Sequence, residues 1–162
     1  QWRDWGGVDQ IKELLKNIQE NPDGRRHILS AWNVGKINEM ALPPCHVMSQ
    51  FYVSNGTISC HMYQRSADSF LGLPFNIASY ALLLHLLAKE VGLKEGRLIG
   101  FLADTHIYVN HFEGMKVQLE RKPMALPSLK TEKFSSIFDW RYEDSKILDY
   151  QSHPGIKFDI AV

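Results

Sequence analysis

The chain has 162 residues, 44% of them apolar and 22% charged, with 18 Lys+Arg against 18 Asp+Glu. This is an ordinary globular composition, long enough to bury one sizeable core, and it excludes a disordered chain. The zero net charge argues against bulk nucleic-acid binding, while leaving room for a local basic pocket.

In chain order, Val8, Ile11, Leu14, Leu15 and Ile18 recur at helical spacing, with Lys12, Glu13 and Lys16 on the other face. They predict an amphipathic helix stopped by "NPDG" at 21–24. "RRHILSAWNV", 25–34, leads from two arginines into an extended stretch. "HVMSQFYVSNGTISCHMYQRS", 46–66, alternates around Asn55-Gly56, a pair that accepts the positive φ of a type I′ turn and so predicts a hairpin. "PFNIASYALLLHLLAKEVG", 74–92, predicts a mostly apolar, centrally packed helix ended by Gly92. Its apolar run near 77–88 is too short to span a bilayer. "RLIGFLADTHIYVNH", 97–111, reads as a strand running into a polar, His-rich segment. Residues 112–121 suit a short helix, and "ALPSLKTEK" and "GIKFDIAV" suit two late strands. The expected class is α+β: a mixed or mainly antiparallel sheet around one long central helix. No repeat or linker interrupts the chain, so 1–162 is expected as a single domain.

Chemistry enters at "LPPCH", 42–46. Two prolines stiffen the backbone before Cys45. Extending the two-residue hairpin outward pairs positions that sum to 111, which sets Phe51 opposite Cys60, His46 opposite Arg65, and Cys45 beside Ser66. Arg65 then lies diagonally near Cys45, and a guanidinium that close favours a reactive thiolate unless a β-bulge shifts the register. A packed core thiol remains an equal reading of Cys45 from these residues. Cys60, mid-strand between Ile58 and Met62, reads as core. The two cysteines make no disulfide framework and, with no secretory signal, indicate a reducing, cytoplasmic setting. His46 points to the opposite strand face from Cys45 and is a poor base for it.

"GRR" at 24–26 and "QRS" at 64–66 bring three arginines and a hydroxyl suited to phosphate. In "DTHIYVNH", 104–111, His106 and Tyr108 share a face if the segment is extended, and both suit a sugar hydroxyl. No CxxC, HxxxH or HExxH spacing is present, so a zinc site fails on spacing.

"QWRDWGG", "RRHILSAWN", "ALPPCH", "QFYV", "YQRSADSFLGLPFNIASYALL", "DTHIYVNH", "SHPGIK" and the terminal "AV" together resemble the thymidylate synthase family, in order and across essentially the whole chain. The resemblance implies that family's fold and the reductive methylation of dUMP to dTMP. Methylenetetrahydrofolate is then the co-substrate that donates both carbon and hydride, with no metal and no nicotinamide. It implies that Cys45 is the nucleophile adding to pyrimidine ring carbon six. Arg65 and Ser66 match phosphate ligands, supported by Gln64, and Arg25 and Arg26 match a pair reaching the phosphate across a homodimer interface made by two sheets packed face to face. Asn76 matches the residue that reads the uracil edge, where cytosine-specific relatives carry Asp. His106 and Tyr108 match ribose ligands. Asp68, Gly72 and the tail residue Val162 match folate-side positions. No DNA or membrane partner is implied.

A dUMP hydroxymethylase on the same scaffold, or an inactive nucleotide-binding or dimerisation module, are the competing expectations. A glycine usual in the family is replaced by Ala103, where a turn needing positive φ would be crowded. Chains of the family carry a substantial region before "QWRDWGG", with a phosphate arginine on a mobile loop, a proton-managing glutamate and a tryptophan near the folate. This sequence starts at Gln1, so the expectation is a polypeptide crippled in catalysis unless that region is supplied.

Overall fold

A computed structural model describes residues 7–160 of the chain. The described residues form two compact units, divided between His106 and Ile107.

In the first unit, helix α1 (Gln10–Glu20) buries Ile11, Leu14, Leu15 and Ile18, the stripe that the spacing predicts. Val8 stays exposed, because Asp9 ends the extended lead-in and caps the helix by accepting from Lys12 N at 3.1 Å. Strands β1 (Ile28–Ser30), β2 (His46–Ser54), β3 (Thr57–Asp68) and β4 (Lys94–His106) form one sheet in that order. The turn joining β2 to β3 has φ 50° at Asn55 and 72° at Gly56, as a type I′ hairpin needs. Pairing of β1 with β2 and of β2 with β3 is antiparallel, whereas β3 and β4 run parallel, so the sheet is mixed.

A parallel pair needs a crossover, and helix α2 (Gly72–Val91) provides it, packing on both strands it connects. It ends at Gly92, whose φ of 69° lets its N–H reach back to the last turn. Burial is concentrated in the C-terminal half of α2, at Leu84, Leu86, Leu87 and Ala88, while Phe75 and Ile77 are exposed. The core lies between α1, α2 and the sheet face carrying Leu29, Phe51, Val53, Ile58, Cys60 and Met62. Each large apolar side chain buried there is worth about 1.5–3 kcal/mol.

The β1 edge is covered by a side chain. Gln10 Nε2 donates to Ser30 O at 3.0 Å, and Ser30 N donates to Gln10 Oε1 at 2.9 Å, so one glutamine replaces a missing ladder partner.

The second unit holds helix α3 (Phe112–Leu119) and a two-stranded antiparallel sheet of β5 (Ser128–Thr131) and β6 (Ser145–Leu148). The first late strand forms at β5 as its sequence predicts. The second does not: residues 155–160 have no strand, and β5 pairs instead with Ser145–Leu148. The reason is visible at Asp159, whose carbonyl accepts from His111 Nε2 at 2.8 Å and Asn110 Nδ2 at 3.2 Å, while the Phe158 ring packs 4.8 Å from the His111 ring. Side-chain donors take the place of a ladder.

Candidate active site

The geometry gathers polar groups at one end of the sheet in the first unit. β3 and β4 are parallel, so their carboxyl ends and the start of the crossover helix α2 lie together, the position where open α/β sheets bind ligands. β2 is antiparallel to β3, so the residues just before β2 reach the same end. This brings in Cys45 from the β2 side, Gln64, Arg65, Ser66 and Asp68 from β3, Gly72 and Asn76 from α2, and His106 from β4.

The hairpin register holds from Ser54–Thr57 to Met48–Tyr63 and then breaks. A bulge between His46 and Met48 sets His46 opposite Gln64 instead of Arg65. Cys45 therefore faces Arg65 and not Ser66: Arg65 N donates to Cys45 O at 2.8 Å. The Arg65 side chain also turns onto this segment, donating from Nε to Pro44 O at 3.1 Å and from Nη2 to Pro43 O at 2.9 Å. Its guanidinium carbon lies 5.6 Å from the centre of the Trp32 ring, within cation–π range. Three consecutive carbonyls, 43 to 45, are thus held by one arginine. Cys45 is half-buried, in contrast to Cys60, which is fully buried and whose thiol is pushed up to about 12 by that burial. His46 turns to α2, where the Tyr80 hydroxyl lies 3.0 Å from its Nδ1, and burial lowers its affinity for a proton.

Gln64 is 1% exposed, and its Nε2 donates to Ser66 O at 2.9 Å and to Asn76 Oδ1 at 3.0 Å. Its Oε1 is buried with no hydrogen-bond partner among the described residues, a deficit of about 1–3 kcal/mol until a donor arrives. Asn76 is not a helix cap: α2 begins at Gly72, and Pro74 occupies the first turn, where its missing N–H costs nothing. Asp68 does the capping, Oδ1 accepting from Phe70 N at 3.2 Å and Oδ2 from Leu71 N at 3.3 Å and Gly72 N at 3.2 Å.

His106 ends β4, with its Nδ1 3.4 Å from Asp104 Oδ1 and its carbonyl accepting from Ser69 N and Oγ. Ala103 lies inside β4 and is not at positive φ, so no turn is crowded there. Tyr108 belongs to the second unit, with its ring edge-on to His111 at 5.5 Å.

Arg25 and Arg26 are not brought to Cys45. Both are exposed, and Ile28 pairs with Gln50, about 17 Å along β2 from Cys45. Val162 lies outside the described residues. Trp32 and the proline carbonyls are contacts that residue spacing does not disclose. A helix long and apolar enough to cross a membrane does not occur among the described residues, nor does a group of three His, Cys, Asp or Glu able to hold a metal ion.

The thymidylate synthase family model matches residues 1–162. A thymidylate synthase of Staphylococcus haemolyticus is 54% identical over 167 residues, covering 100% of this chain and 52% of that protein. One from Mycoplasma pneumoniae is 51% identical over 162 residues, covering 100% and 56%. A bifunctional dihydrofolate reductase-thymidylate synthase of Paramecium tetraurelia is 51% identical over 175 residues, covering 100% and 38%. The chain spans about half the length of the first two relatives.

Proposed function

This chain belongs to the thymidylate synthase family, and from that premise we propose that it carries the nucleotide half of a catalytic site that methylates dUMP to dTMP. The observation that supports this most is the half-buried Cys45 held against Arg65, at the same sheet end as the Gln64–Asn76 amide pair.

Cys45 Sγ adds to pyrimidine ring carbon six, and the electron pair moves onto carbon five and its carbonyl, making carbon five the nucleophile. Asn76 Oδ1 already accepts from Gln64, so its orientation is set; its Nδ2 donors have no partner among the described residues and suit the pyrimidine carbonyl, and a lone pair of Oδ1 is left for the ring N–H. Arg65 and Ser66 bind the phosphate, joined by Arg25 and Arg26 from the second subunit of a homodimer. His106 and Tyr108 bind the ribose hydroxyl. Methylenetetrahydrofolate supplies the one-carbon unit and the hydride. Asp68 fits a folate-side position: three backbone N–H occupy its carboxylate, which offers about four acceptor sites. Gly72 beside it and Val162 complete that side. Residues 1–162 act as one catalytic domain, in the cytoplasm.

The test is product analysis with dUMP and methylenetetrahydrofolate, on the chain as given and on a chimera carrying it in place of the matching part of the staphylococcal relative. The expected product is dTMP. Hydroxymethyl-dUMP as sole product removes the methylation reading, and no turnover in either protein leaves a nucleotide-binding module.

A further inference from the structure

Arg65 divides its guanidinium between two tasks. The edge formed by Nε and Nη2 is committed to Pro44 O and Pro43 O. The three remaining N–H, two on Nη1 and one on Nη2, have no partner among the described residues and form an outer edge suited to a bidentate anion. The guanidinium carbon itself lies over the Trp32 ring, 5.6 Å from its centre. Trp32 is half-buried just after β1, and its neighbour Ala31 is fixed to the sheet by donating to Val47 O at 2.8 Å.

We propose that Trp32 is a positioning residue: its indole holds the Arg65 guanidinium in place, so that the inner edge keeps the Pro43–Cys45 backbone while the outer edge meets a nucleotide phosphate. An anion on the outer edge pulls the guanidinium away from the proline carbonyls. Flexible arginine alone follows that pull and loosens the segment bearing Cys45. An aromatic face opposes it, because the cation–ring attraction weakens as the charge is drawn away from the ring. Tryptophan gives the strongest such face. The inference rests on the nucleotide reading for its ligand, and on the contacts of Arg65 alone for its geometry.

Two measurements on the whole protein test it. Nitrogen-15 NMR follows the Arg65 Nε proton, which is bonded to Pro44 O and is expected to give a resonance protected from water exchange. Equilibrium binding compares dUMP with deoxyuridine, which lacks the phosphate. Trp32→Leu is expected to lose the protected resonance and to weaken dUMP about tenfold, with deoxyuridine unchanged. Trp32→Phe is expected to restore most of both. A protected resonance unchanged in Trp32→Leu overturns the inference, as does equal weakening of nucleotide and nucleoside. Should Trp32→Leu not fold, Trp32→Phe decides, because its smaller ring predicts a measurable shift of the Nε resonance and an unmoved one overturns the inference. If the resonance responds but the wild type binds dUMP no better than deoxyuridine, Trp32 stands as the mount of Arg65 and the nucleotide reading falls.

Discussion

Cys45 and Asn76 ask opposite things of their surroundings. A nucleophilic sulfur must be reachable yet aimed, and Cys45 meets this by being half-buried on a segment whose carbonyls are tied to Arg65. Cys45→Ser keeps the shape and removes the thiol proposed as the nucleophile. Turnover is expected to fall by on the order of 10⁴-fold, with dUMP affinity nearly unchanged in calorimetry; retained turnover with lost binding contradicts the role. Asn76, as the proposed base reader, must instead present a fixed pattern of donors and acceptors. Asn76→Asp still accepts from Gln64 but turns the donor atom into an acceptor, which suits the amino group of cytosine. Preference, read as the ratio of kcat/KM for dUMP and dCMP, is expected to move toward dCMP by about tenfold or more. An unchanged ratio removes Asn76 as the base reader. At this scale the sequence discloses which residue types are present, and misses their neighbours by one step: a single bulge beside His46 changes the strand partner of Cys45 from Ser66 to Arg65.

Elements are legible where the signal is local. The α1 stripe, the Asn55-Gly56 hairpin and the Gly92 stop each rest on spacing or on one backbone requirement, and each is realised. Residues 155–160 alternate like a strand, but their partners are the side chains of Asn110 and His111, far away in the chain, and no local pattern announces them. The contact of β2 with α2 is of the same non-local kind and has a consequence in pH. His46 is packed against Tyr80, and burial lowers its pKa below the usual imidazole value of about 6.5. Below that pH the unfolded chain takes up a proton that the folded chain resists, so stability falls as pH drops from about 6.5 through the lowered folded value. Urea midpoints taken between pH 7.5 and 5 are expected to fall more steeply for the wild type than for His46→Gln. Parallel slopes for the two proteins exclude His46 as the group responsible.

For the whole molecule, the decisive surface is the outer face of the four-stranded sheet. Tyr52, Tyr63, Ile99 and Phe101 are exposed there, with Tyr63 and Phe101 stacked at 5.3 Å and 14°. Strand alternation makes this face legible as outward-pointing but says nothing of what covers it. A second copy packed on it is the proposal made here, and it accounts for Arg25 and Arg26, which stand exposed and remote from Cys45 of their own chain. If both arginines complete the neighbour's phosphate site, damage to them and damage to Cys45 fall on different sites of a mixed dimer. Combine a Cys45→Ser subunit with an Arg25→Ala/Arg26→Ala subunit, each inactive by itself in the chimera. Random exchange makes half of the dimers mixed, and each mixed dimer has one site with an intact sulfur and intact partner arginines. Activity is therefore expected to return to about one quarter of the wild-type level per site after subunits re-equilibrate. Arginines that serve their own subunit leave every mixed site defective, and the mixture then stays as inactive as its parents.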